Sequence, residues 1–179
     1  FSRPHKDLRH ILDTQQVIRL ILENLENWPR SISNGTIMVI EKFFESNVDH
    51  IPSPANWINA FSYRIFHTPD FSLVRYSLEH FADFVRGMQQ LITLLDLEET
   101  PLLVRSYLRH ARELMNKTPL LKLAERDRKL PFTWTETLYY GAFIRDHFRH
   151  SCHELIDIFG RFDAWYSMAM AMERFHLSF

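Results

Sequence analysis

Between Thr133 and His176 the chain has no proline and only two glycines, Gly141 and Gly160. Thr133 and Glu136 open this stretch at capping-box spacing, where the threonine oxygen takes a free amide and the glutamate reaches back. Apolar or small residues then recur at Tyr140, Ile144, Phe148, Cys152, Leu155, Phe159, Phe162, Tyr166 and Ala169. The steps of three and four mark one helical face. Arg145, Arg149, His153, Asp157 and Arg161 fill the opposite side. The pattern predicts one unbroken helix from about Thr133 to Phe175, roughly 65 Å long. A compact domain of this size is only about 30–40 Å across, so such a helix is a strut joining two places.

The residues before it divide into shorter helical runs. The first helix is predicted from about Lys6 to Glu26. Leu8, Ile11, Gln15, Ile18, Leu22 and Leu25 form its face, Val17 and Ile21 widen it, and Pro29 stops it. Ser33 caps a second helix carrying Ile37, Ile40 and Phe44. Two prolines and no period make Asn47 to Pro54 a loop. A third, aromatic helix spans about Ala55 to Phe66. The fourth is long, from Asp70 to about Leu97, with a seam of Phe71, Val74, Leu78, Phe81, Val85, Met88, Ile92 and Leu95. Thr100-Pro101 and Thr118-Pro119 each read as a cap followed by proline at the first helical position, opening a fifth helix and a short sixth. Nothing alternates as a strand would.

The fold class is therefore all-α: an elongated helical bundle of seven helices, two of them long and lever-like. Helices one and four are the partners expected along the strut. Three stretches follow: a helical core part over 1–69, a long helix with short helices forming a lever and its tip over 70–132, and a long helix returning to the core over 133–179.

A formal charge of −1 exerts no global pull on nucleic acid or anionic membrane, so any DNA contact needs a local patch. Arg105, Arg109 and Arg112 lie at i, i+4 and i+7 on the fifth helix, and Lys122, Arg126, Arg128 and Lys129 follow on or after the sixth. Placed where the long helices turn round, these seven are the candidate phosphate contacts. Glu113, Glu125 and Asp127 partly balance them, and an ordinary charged surface is the plainer reading.

Other constellations point away from catalysis. His147, His150 and His153 cluster on the strut with Asp146, Glu154 and Asp157. The paired Glu-x-x-His helices of a di-iron bundle are missing, so a solvated face with i,i+4 pairs is expected rather than a metal site. Phe43-Phe44-Glu45 contains Phe-x-Glu, but helical spacing sends Phe43 or Phe44 to the core. The single Cys152 excludes an internal disulfide and a cysteine-based zinc site, suits a reducing cytoplasm, and reads as a buried inert thiol. There is no phosphate-binding loop, no dinucleotide fingerprint and no serine nucleophile elbow. No catalytic residue, metal or cofactor is expected within the chain. No apolar run approaches the roughly 18 residues of a membrane span, and no signal peptide opens the chain. Starting at Phe1 and stopping at Phe179 after a helix, it is expected to be a piece of a longer protein.

Leu155 to Ala171 reads LIDIFGRFDAWYSMAMA, with Asp163, Ser167 and Ala169 in an Asp-x-x-x-Ser-x-Ala pattern. It resembles the segment just before the ATPase domain of MutS-type mismatch-repair proteins, where a long helix returns to the core. Leu12 to Leu22, reading LDTQQVIRLIL, is similar to a core segment of the same family. The resemblance covers the core and lever region, roughly the whole chain. In that family the lever helices carry a clamp domain that closes over DNA. Residues 98–132 leave room for two short helices only, so the likeness is to a clampless MutS-like protein. The mismatch-reading Phe-x-Glu of the family belongs to a different, N-terminal domain, and Phe43 and Glu45 lack its flanking pattern.

The resemblance implies an ATPase domain beyond Phe179 that uses ATP and Mg and forms a homodimer. It also implies weak contact of this region with double-stranded DNA, in the cytoplasm. Nucleotide state would move the strut near Asp163 to Met172 and displace a tip near Thr118 to Trp134. The alternative is a helical protein–protein interaction module without DNA contact, and a metal-binding helical enzyme comes third. A basic tip favours the first reading, an exposed apolar face the second, bound metal the third.

Overall fold

The seam predicted for the fourth helix, Phe71 through Leu95, is buried at every position. Ser77, Phe84 and Leu91, seven residues apart, form a second buried stripe that widens it. A helix covered over so broad a face needs neighbours on several sides, and that requirement sets the architecture.

The computed structural model describes residues 8–177 except Asp49 and Glu99, with side chains from Ile11 onward; the predicted start at Lys6 lies outside them. Among these residues the chain is all-α. Its helices are α1 (Leu8–Leu22), α2 (Asn34–Glu45), α3 (Trp57–Phe66), α4 (Thr68–Leu95), α5 (Leu102–Met115), α6 (Thr118–Glu125), α7 (Trp134–Ala142) and α8 (Arg149–Phe175). A 3₁₀ turn at Leu25–Asn27 follows α1, and a π-helical turn at Phe143–His147 joins α7 to α8. The two long helices are α4, of 28 residues, and α8, of 27. The central one is α4, against which α2, α3, α5, α6 and α7 all pack; α8 lies along α1 and also meets α5. One buried cluster runs from Val17 to Ala169, with aromatic contacts between Phe81 and Phe148 at 5.9 Å and Phe84 and Phe159 at 6.5 Å.

The expected single strut is interrupted, which makes eight α-helices of the predicted seven. After α7 come the π-helical turn and a bend at Phe148, whose φ is −119° and ψ −3°; α8 then runs alone for about 40 Å. The cause is visible in the seam. Tyr140, Ile144, Phe148 and Cys152 are separated by four residues three times running. In an α-helix each four-residue step turns the side chain about 40° off its face, about 120° over three steps. The wider π turn takes up the excess, and all four side chains stay buried.

Local signals behave as the sequence anticipates at some ends and shift at others. The capping box expected at Thr133 with Glu136 forms, and Ser33 caps α2 as expected, with Thr36 completing a box there too. The third helix begins at Trp57 rather than Ala55, capped by the Asn56 side chain. Thr100 does not cap α5, whose N-cap is Pro101. Its hydroxyl turns back to α4, donating to the Leu95 carbonyl at 2.6 Å and accepting from the Leu97 amide at 2.9 Å. Thr118 is the first residue of α6, with Lys117 at the cap. The first helix ends at Leu22, short of the predicted Glu26. Gly141 lies where α7 crosses α4, and a Cβ there would collide with the Val74 side chain and press on Ile51.

Candidate functional site

The seven basic residues singled out from the sequence do not share one surface. Arg112 pairs with Asp96 at 2.7 Å, and Arg128 pairs with Asp83 at 3.0 Å. Asp83 lies in α4 and Asp96 just past its end, 13 residues on, hence about 20 Å along its axis. That is roughly twice the screening length of about 8–10 Å near physiological salt, so the two groups act independently on a phosphate. The geometric reason is that α6 and the loop after it fold back along the flank of α4. Arg86 in the middle of α4 donates to the Arg126 carbonyl at 3.1 Å.

Four of the seven side chains already have internal partners. Arg105 donates to the carbonyls of Glu98 and Thr100 at 3.0 and 3.1 Å, closing the turn between α4 and α5. Arg112 and Arg128 form the ion pairs above. Arg126 is the most committed. Its side chain is 13% exposed, and the guanidinium meets Glu136 at 3.3 Å and donates to the carbonyls of Asp127, Leu130 and Pro131. It also covers the Phe132 ring at 4.2 Å. Burial works to raise the Glu136 carboxyl. Hydrogen bonds from the Thr133 amide, Arg126 and the Thr133 hydroxyl together outweigh it and hold the group below its ordinary value. Arg126 is thus the staple that fixes the start of α7. Arg109, Lys122 and Lys129 remain exposed, with no side-chain partner among the described residues.

The histidine cluster becomes a junction between helices. Glu154 on α8 is held by His150 at 3.2 Å and by His110 of α5 at 2.8 Å. His153 packs on the Phe44 ring at 5.1 Å. Sequence spacing showed the pair within α8, but His110 lies 44 residues away and no local signal connects it. Arg145, expected on a solvated face, donates instead to the carbonyls of Phe43 and Ser46 at 3.2 and 2.8 Å, holding the end of α2. Phe43 and Phe44 are both core residues, and Glu45 pairs with Lys42 at the surface. Cys152 is fully buried, and burial, with a smaller push from Glu41, drives its thiol far above the ordinary range.

The feature that sequence reasoning passed over is α3. Trp57, Ile58, Phe61, Ile65 and Phe66 are all exposed, Ile58 at 72% and Phe66 at 78%. Only Ala60 and Tyr63 of this helix are buried. Beside it lies a hollow of about 470 Å³ lined by Trp57, Arg75, Pro131, Phe132, Thr133, Trp134 and Thr135. The signal was present: a ten-residue helix apolar on every side is one that expects cover on every side.

The fold and this surface define an all-α helical bundle with a broad uncovered apolar ridge. No helix among the described residues is long and apolar enough to cross a membrane. No family model, curated protein or solved structure matches the chain.

Proposed function

We propose that this chain is the helical core-and-lever region of a clampless MutS-like, ATP-dependent DNA-binding protein. Within that protein its own surface serves protein contacts more than DNA contacts. The observation that carries the reading is the pairing of α1 with α8. Leu12–Leu22 and Leu155–Ala171, the two segments that bear the resemblance, stand at opposite ends of the chain and pack side by side. Trp28, just beyond α1, stacks on Tyr166 of α8 at 4.6 Å, locking the junction.

The role is mechanical. ATP and Mg act in an ATPase domain of the full-length protein, which also forms the homodimer. Displacement of the C-terminal half of α8, around Asp163 to Met172, travels along one stiff helix to the bend at Phe148. There the ring meets Phe81 of α4, so the motion reaches the central helix rather than residues 118–134. Arg109, Lys122 and Lys129 are left for weak, sequence-independent contact with double-stranded DNA. Favouring the protein-interaction reading are the engagement of the other four basic side chains and the uncovered face of α3.

The coding sequence beyond Phe179 tests the family. A G-x-x-x-x-G-K-[ST] loop within about a hundred residues supports it, and an open reading frame of that length without one overturns it. A salt titration on duplex DNA separates the two readings. Three phosphate contacts give a log–log slope of about −2.7 and a Kd on the order of 10⁻⁴ M. Alanine at Arg109, Lys122 and Lys129 flattens that slope if DNA is touched. An unchanged slope leaves the interaction module without DNA contact.

A further inference from the structure

We infer that the furrow along α4, between α3 and the loop leading into α7, binds single-stranded nucleic acid, with phosphates on its arginines and lysine and bases on Trp57 and Trp134. The inference stands apart from the MutS-like reading. That reading concerns duplex DNA, and neither Arg109 nor Lys122 lines the furrow.

Helix geometry lays the floor. Thr68, Ser72, Arg75, Glu79, Asp83 and Arg86 follow one another on α4 at steps of three and four, so they share one face. Three hollows lie over that face. One of about 300 Å³ is lined by Arg64, Arg75 and Glu79, one of about 320 Å³ by Glu79, Asp83, Arg86 and Arg128, and one of about 470 Å³ by Trp57, Arg75 and Trp134. They adjoin: Arg75 lines the first and third, Glu79 the first and second, and Phe132 the second and third. From Thr68 to Arg86 the face is about 27 Å long, room for at most about eight nucleotides at the 3.4 Å rise of a stacked strand.

Charge decides the class of ligand. Arg64, Arg75, Arg86, Arg126, Arg128 and Lys129 line these hollows, against two carboxylates, Glu79 and Asp83. Glu136 pairs with Arg126 from outside them and makes a third. Three positive charges are left over, in a chain whose formal net charge is −1. So local an excess is complementary to a polyanion. Lys129 has no side-chain partner among the described residues, and Arg128 is 69% exposed beside its pair with Asp83.

The rings decide between a single strand and a duplex. Trp57, Phe61 and Arg64 stand at i, i+4 and i+7, on the face of α3 that meets Trp134. Ile58, Ile65 and Phe66 lie on other flanks of that helix and take no part. Trp57 stacks on Phe61 at 5.2 Å, Phe61 meets Trp134 at 6.2 Å, and the Arg64 guanidinium covers Trp134 at 4.2 Å. Trp57 remains 64% exposed, so one of its faces is left for a base beside the largest of the three hollows. Only an unpaired strand can set its bases on such rings; a duplex keeps them stacked inside and offers phosphate alone.

The test is fluorescence anisotropy of a labelled oligothymidylate of about ten nucleotides, titrated with the 179-residue chain. The expected Kd is on the order of 10⁻⁵ M near physiological salt, with a log–log salt slope of about −2 for three phosphate contacts on a single strand. Duplex of the same length binds at least about tenfold more weakly. Trp57→Ala weakens binding about tenfold and leaves the slope unchanged, because a lost stacking contact releases no counterion. Trp57→Phe keeps a ring and most of the affinity. Arg64→Gln with Lys129→Gln flattens the slope to about −0.7. Circular dichroism and Tm of the variants match the parent, since the substituted side chains are exposed. No binding at about 300 µM protein overturns the proposal, as does a Trp57→Ala chain that binds like the parent. Equal affinity for the duplex, or for polyglutamate of matching charge, overturns it in favour of a plain polyanion surface.

Discussion

Replacing Arg126 with alanine should destabilise the bundle by about 2–4 kcal/mol. The side chain is largely buried and its contacts differ in worth. The donations to the Leu130 and Pro131 carbonyls come from a charged group, but water can reach those oxygens, so the two together contribute about 1.5–2 kcal/mol. The stacking on Phe132 adds about 0.5–1 kcal/mol. The pair with Glu136 adds at most about 1 kcal/mol, because that carboxylate is 35% exposed and solvent screens it. For a chain of this length each kcal/mol lowers Tm by about 2–4 °C, so a drop of roughly 4–16 °C is expected. Urea denaturation of parent, Arg126→Ala and Arg126→Lys measures the difference, lysine keeping the charge but losing the fork. A loss below about 0.5 kcal/mol, the level of an ordinary surface substitution, refutes the reasoning. The acid limb gives an independent check. The Glu136 carboxyl titrates below its ordinary value of 4.5 in the folded chain, so between the two values the unfolded chain holds more protons. Its stabilisation is complete above about pH 4.5 and disappears as pH falls through the folded value. Without Arg126 that difference narrows, and the acid limb of the stability curve flattens.

Two glycines of the same stretch should respond with opposite sign. Gly160 has nothing within 4 Å of a new Cβ, so Gly160→Ala stabilises by about 0.5–1 kcal/mol through helix propensity, whereas Gly141→Ala drives a methyl into Val74 and destabilises by about 1–3 kcal/mol; thermal melts of the pair decide it. Thr100→Val keeps the shape of a buried side chain but orphans the Leu95 carbonyl and the Leu97 amide, and should cost about 2 kcal/mol in urea; a neutral result removes the threonine from the end of α4.

What the chain determines by itself is whatever depends on near neighbours. The apolar seams of α4 and of residues 140–169 follow from residue spacing, because a side chain three or four positions on shares a face wherever the helix lies. The boxes at Ser33 and Thr133 close within one turn and need no outside partner. The break at Phe148 overturns the unbroken helix expected there, although its cause, three consecutive four-residue steps, lies in the same spacing. Other features depend on which surfaces meet. Arg126 and Arg128 look like phosphate ligands along the sequence, yet the turn into α7 brings Arg126 to Glu136 and fold-back onto α4 brings Arg128 to Asp83. Thr100 has the spacing of a cap for α5 and serves α4 instead, because the end of the longer helix lies closer to its hydroxyl. The apolar face of α3 is the converse case, since composition asks for cover that no other helix provides. Charge pairing and burial are settled by distances between segments far apart in sequence, and only tertiary packing sets those distances.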